Sequence, residues 1–248
     1  MEITRIRMLR GPNLWSRHTA LEAIVSCDES ERSIDSIPQF EIKIRERFPQ
    51  LGSMRRGGHN EILSLAHALE HAALGLQSQA GCPVTFSRTV QTVDVGVYQV
   101  VVEYTEEVVG RMAFDFAFGL IQATLNDVPF DLAAALSELE ALYEDVRLGP
   151  STGSIVDAAV QRNIPYRRMT EGSMVQFGWG SKQKRIQAAE TSDTSAIAEA
   201  IAQDKELTKN LLAAAGVSVP IGEVVTTADD AWRAAQKIGG PIVLKPKD

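Results

Sequence analysis

The sequence predicts an α+β domain followed by an incomplete α/β domain. Three observations carry that reading. In the first half, runs rich in valine and tyrosine sit between stretches with helical apolar spacing. A Gly/Pro/hydroxyl break falls at residues 148–154, and beyond it helical stretches alternate with short apolar runs. The first domain is therefore expected over residues 1–150 and the second over residues 151–248.

Taken in order, Ile3, Ile6, Met8 and Leu9 mix with Arg5 and Arg7 before Gly11-Pro12-Asn13 interrupts them, which predicts a strand and a turn. Residues 60–77 place Leu65, Leu69, Ala72, Ala73 and Leu76 on one side of a helix, closed by Gly81 and Pro83. Residues 84–86 and 96–104 read as strands. Glu106 and Glu107 open a helix, because carboxylates suit the positive end of the helix dipole. Leu132–Val146 is a further helix. After the break, residues 155–162, 195–215 and 228–238 are predicted helices, the last two closed by Gly216 and Gly239. Residues 241–245 form a buried-looking strand ending in Lys245.

A net charge of −7 argues against a general nucleic-acid binder. Arg45, Arg47, Arg55 and Arg56 form a local basic cluster, read as a solvated face. With 44% hydrophobic and 23% charged residues the chain has the profile of a soluble protein. The longest apolar stretch, residues 112–123, contains Asp115 and Gln122 and is too short to cross a bilayer. No apolar run near the start suggests a signal sequence, so a cytoplasmic protein without a membrane partner is expected. Cys27 and Cys82 lie in apolar surroundings and read as buried free thiols.

Two lysines of the second half suit phosphate chemistry. Lys205 lies in Asp204-Lys205-x-x-Thr208-Lys209, and Lys245 ends the last apolar run. Two such point charges can brace a triphosphate while charge shifts during phosphoryl transfer. Each taken alone also reads as a surface lysine. Their setting, residues 204–220 and then Ile238-Gly239-Gly240-Pro241-Ile242-Val243-Leu244-Lys245-Pro246, resembles the first nucleotide-binding half of the ATP-grasp superfamily.

Further segments sharpen the resemblance. Leu9-Arg10-Gly11-Pro12-Asn13-x-Trp15-Ser16, Leu148-Gly149-Pro150-Ser151-Thr152, Met174-Val175-Gln176-Phe177-Gly178-Trp179-Gly180 and Gln183-x-Arg185-Ile186 all resemble the cyanophycin synthetase family. The resemblance implies a full enzyme that polymerises aspartate and arginine with ATP and Mg²⁺, expected as a homo-oligomer. It implies Lys205 and Lys245 as phosphate contacts, and cyanophycin polymer as partner. Another ATP-grasp amino-acid ligase is the alternative.

His59, His67 and His71 are three of the chain's four histidines, and His67-Ala68-Leu69-Glu70-His71 falls on the first predicted helix. Residues four apart share a helical face, so both imidazoles can reach one ion, with Glu70 beside them. This H-x-x-E-H order matches the inverzincin metallopeptidases, in which the histidines hold Zn²⁺ and the glutamate activates water. A plain polar helix face is the other reading. The family resemblance implies a hydrolytic site in this first domain that cuts polymer to primers. It also points to Glu107, in Glu103-Tyr104-x-x-Glu107, as the third ligand, with His59 as substitute. A non-catalytic polymer-binding module is the competing function.

Overall fold

The computed structural model describes residues 1–52, 54, 63–188 and 190–245, in two compact units, Met1–Ala189 and Glu190–Asp248. The break at residues 148–154 falls inside the first unit.

In the first unit, β1 (Glu2–Leu9), β2 (Ala20–Ser26), β3 (Ser87–Gln91) and β4 (Val97–Glu103) form an antiparallel sheet in the order β1-β2-β4-β3. Helices α1 (Phe40–Arg47), α2 (Leu65–Gln79), α3 (Glu107–Leu125) and α4 (Leu132–Val146) share its core. The pairing sets Leu21 opposite Val102, Ala23 opposite Val100 and Val25 opposite Tyr98. All six are buried in one core with Leu69, Leu76, Phe114 and Leu120 of α2 and α3. The period of two along the strands thus meets the three- and four-residue period of the helices.

On β2, Glu22 is 2% exposed and is satisfied by Arg7 of β1 and Gln99 of β4. This central strand was not among the predicted elements. Ala20-Leu21-Glu22-Ala23 is made of good helix formers, and packing between two strands overrides that preference. Residues 84–86 do not form the expected strand. Thr85 and Phe86 donate their backbone N–H groups to Glu103 Oε2 at 2.8 Å each, and the ladder starts at Ser87.

Helix α3 runs for 19 residues, longer than the apolar stretch marked in the sequence, and is apolar enough by composition to cross a membrane. It is instead a core helix packed on α2 and α4. Gly110 allows its first turns to approach Tyr104, since an added Cβ would lie 2.5 Å from Tyr104 Cβ. Burial lifts both thiols, Cys27 and Cys82, to about 11, so they behave as small apolar side chains.

Past α4, Gly149 caps α5 (Pro150–Gln161), with proline at its first position. Strands β5 (Tyr166–Arg168), β6 (Met174–Phe177) and β7 (Lys184–Gln187) pair antiparallel. Val156, Val175 and Ile186 make a small second core with Tyr166 and Phe177.

The second unit holds a two-residue strand, β8 (Glu190–Thr191), and helices α6 (Ala196–Gln203), α7 (Lys205–Ala214) and α8 (Ala228–Ile238). The helix predicted over residues 195–215 is broken at Asp204. That residue is extended at φ −83° and ψ 98°, and its carboxylate caps α7 by accepting from the N–H groups of Glu206 and Leu207. Helix α8 ends as expected, on Gly239 at φ 71°. Residues 241–245 are not a strand, because they have no ladder partner among the described residues. Basic residues of the expected cluster are partly paired: Arg45 with Glu41 and Arg47 with Asp127, while Arg55 and Arg56 lie outside the described residues.

Candidate functional site

Segments far apart in sequence meet in the first unit, beyond the end of β4. The turn after β1 is organised by Asn13. Its side-chain oxygen accepts from the N–H groups of Trp15 and Ser16 at 2.9 Å, and its amide donates to the carbonyls of Gly11 and His18 at 3.0 Å. This Asx-type turn needs asparagine's short two-sided amide, which accounts for Gly-Pro-Asn-x-Trp-Ser as a unit. The Trp179 indole lies against Gly11, where an added Cβ would come within 3.2 Å of its Cη2. Two of the segments singled out in the sequence are therefore neighbours, and with Arg10, Pro12 and Arg167 they bound an open hollow.

Arg10 grips Glu107 with two parallel bonds, Nε to Oε2 at 2.6 Å and Nη2 to Oε1 at 2.8 Å. These bonds hold the Glu107 carboxyl below its usual range, against a smaller opposing effect of burial. A depressed carboxyl stabilises the fold above the unfolded pKa of about 4.3, and that contribution is lost as pH falls through the lowered value. Arg10→Ala should move the Glu107 titration upward, as read by carboxyl NMR; an unmoved titration would show that the pair does not persist in solution.

Glu106, extended at the N-cap of α3, meets Arg168 of β5 at 2.8 Å. Burial pushes its carboxyl up, and Arg168 only partly opposes this. Arg168 also donates to the carbonyls of Val146, Glu171 and Gly172. One guanidinium thus ties the end of α4 and the β5–β6 turn to the start of α3.

Two adjoining clefts open here, of about 400 and 660 Å³, sharing Thr19, Tyr104, Thr105, Glu106 and Tyr166. Their walls carry both signs of charge: Glu103, Glu106, Glu107, Asp145, Asp157 and Glu171 against Arg10, Arg147, Arg167 and Arg168. Desolvation raises the Tyr104 phenol, and that of Tyr166 to about 12, so both stay uncharged at neutral pH. Arg167 is exposed and has no ion pair among the described residues.

The metal set suggested by sequence is not assembled by the described residues. Helix α2 runs alongside β4, with the His67 ring 5.9 Å from that of Tyr98 and Gln77 Nε2 2.9 Å from the Glu103 carbonyl. Tyr98 and Glu103 are five residues apart on β4, so His67 and the region of Glu107 are separated by about 17 Å of strand. Glu107 therefore cannot join His67 as a ligand, and it is already held by Arg10. His67 belongs to the helix capping box, its Nδ1 3.2 Å from the Ser64 backbone nitrogen and 3.0 Å from Ser64 Oγ. Glu70 is 2% exposed on the core side of α2, a poor place for a base that must meet water and substrate. No group of three His, Cys, Asp or Glu side chains able to hold a metal occurs among the described residues, and His59 lies outside them.

In the second unit Lys205 is the exposed first residue of α7, and Lys245 is exposed in an irregular segment. Both have the charge and accessibility that phosphate oxygens require. Arg167, Arg168, Tyr166 and Asp157 were not among the expected site residues. Tyr-Arg-Arg after Ile164-Pro165 is visible as a charged segment, but nothing local tells which carboxylates it will meet.

Residues 23–126 match the cyanophycin synthase-like N-terminal domain family. The whole chain is 38% identical to the cyanophycin synthetase of Trichormus variabilis, covering 29% of that protein. It is 38% identical to that of Geminocystis herdmanii and 36% identical to that of Synechocystis sp., covering 30% of each. The chain spans less than a third of the length of the curated relatives it matches.

Proposed function

We propose that this chain, a member of the cyanophycin synthetase family along its whole length, supplies the polymer-holding part of such an ATP-dependent ligase. A polymer of aspartate and arginine presents carboxylates and guanidinium groups side by side, so its binding surface must offer both signs of charge. The observation that carries this reading is the meeting of Arg10-Gly11-Pro12 with Trp179, Arg167 and the acidic start of α3 around one cleft system. Planar guanidinium groups on the protein suit carboxylates, and carboxylates and aromatic faces suit the polymer's own guanidinium groups.

On this reading the first unit binds polymer without cutting it. On the same reading His67 serves the cap of α2, and Glu70 is buried away from substrate. ATP and Mg²⁺ belong to the complete ligase, where Lys205 and Lys245 would face the phosphates of the nucleotide. Bound ATP would supply the activation of a carboxylate as an acyl phosphate.

The test is titration of purified cyanophycin against the full chain. Arg167→Ala and Trp179→Ala should each weaken binding by on the order of tenfold, because each removes one charge-assisted or aromatic contact. Their melting temperatures should stay at the parent value, since Arg167 and Trp179 are both exposed. Added salt should weaken binding further. Absence of binding by the parent, or parent-like binding by both variants, would sink the proposal.

A further inference from the structure

The 400 Å³ cleft between the end of β4, the end of α4 and α5 has a character of its own. Two of its carboxylates have one oxygen engaged and one open. Glu103 is 6% exposed, and its Oε2 takes both backbone N–H groups of Thr85 and Phe86, while Oε1 accepts no hydrogen bond among the described residues. Glu106 meets Arg168 through Oε2, and its Oε1 likewise accepts none. Asp157 of α5, exposed at the mouth, has no ion pair among the described residues. Tyr143 and Tyr166 add two phenols to the wall, both raised by burial. Thr105 Oγ1, on the same wall, is buried and has no partner among the described residues beyond the weakly accepting Cys82 thiol. The basic groups at the edge are His18 and Arg147, and Arg147 is paired with Glu144.

A cavity with several acceptor oxygens held in place and phenol rings beside them calls for a flat, multi-donor cation. An ammonium would use three donors around a point, whereas a guanidinium offers five in one plane and an apolar face for the rings. The geometry points to this cleft as a subsite for the guanidinium of an arginyl side chain. This rests on the polymer-binding reading above and adds to it which group of the polymer enters and which residues select it. The fixed backbone donors on Glu103 matter to selection: with Oε2 already held, the carboxylate cannot rotate away, so its free oxygen keeps one direction.

The experiment is calorimetric titration of the full chain with three probes: cyanophycin, the β-aspartyl-arginine dipeptide, and the same dipeptide with citrulline in place of arginine. Citrulline keeps the shape of arginine and removes the charge. The arginyl dipeptide should bind at least tenfold tighter than the citrullyl one. Asp157→Asn should erase most of that preference without altering the melting temperature, and Tyr166→Phe should retain it, because the ring face remains. Equal binding of the two dipeptides, or an unchanged preference in Asp157→Asn, overturns the subsite. If the polymer still binds in that case, the cleft reading survives and only the guanidinium assignment falls. If the polymer fails to bind as well, both fall together.

Discussion

Arg168→Ala is expected to destabilise the first unit by about 2–4 kcal/mol and to abolish tight polymer binding. The Arg168 and Glu106 side chains are only 21% and 13% exposed, so removal of the arginine leaves a carboxylate in poor solvent without its partner. It also strands the carbonyls of Val146, Glu171 and Gly172, one of them at the negative end of α4. For a unit of this size the loss corresponds to roughly 5–15 °C in melting temperature. Arg168→Lys should recover only part of it, because an ammonium cannot reach acceptors in the plane of a guanidinium fork. The double variant Arg168→Ala with Glu106→Gln should be more stable than Arg168→Ala, since the isolated charge is gone. Thermal melts of the four proteins decide this. A parent-like melt for Arg168→Ala would show that the hub contributes nothing.

The second large effect concerns the two units themselves. Residues 1–189 alone should melt as one cooperative transition near that of the full chain, whereas residues 190–248 alone should show no cooperative melt. The first unit encloses a continuous core from Leu21 to Leu139. In the second, Ala234 is the one buried residue among those described, while Ile197, Leu211, Trp232 and Val243 stand 47–77% exposed. Ordering each residue costs on the order of 1–2 kcal/mol of backbone entropy, and burial of one alanine cannot offset that over 59 residues. By the same reasoning the full chain should bind ATP weakly and give no ATP-dependent polymer extension, because its two lysines lack a rigid platform. A sharp melt for residues 190–248, measured by circular dichroism, would overturn this.

Much of the scaffold was legible from local pattern. The strand over residues 96–104, the helices α3, α4 and α8, and the glycine that closes α8 follow from periodicity and cap chemistry, which operate within a few residues. Asp204 shows the limit of periodicity: apolar spacing runs through it unbroken, but a carboxylate that can cap the next turn splits the helix. The strand β2 shows the limit of propensity, since its helix-forming residues become extended only when strands on both sides supply the ladder. The expected strand at residues 241–245 fails for the converse reason, the lack of a ladder partner among the described residues.

The site divides in the same way. The sequence by itself carried the resemblance to the family, through segments such as Arg10-Gly11-Pro12-Asn13 and Phe177-Gly178-Trp179, each of which encodes a local turn. It also marked the polar face of α2 that carries His67 and His71. Only the tertiary structure decided what those residues meet. It placed Trp179 against Gly11, gave Glu107 to Arg10 and Glu106 to Arg168, and set Glu107 at the far end of β4 from His67. Charge pairing and ligand convergence depend on distances across the sheet, and a helical spacing of four residues fixes only what lies on a single helix.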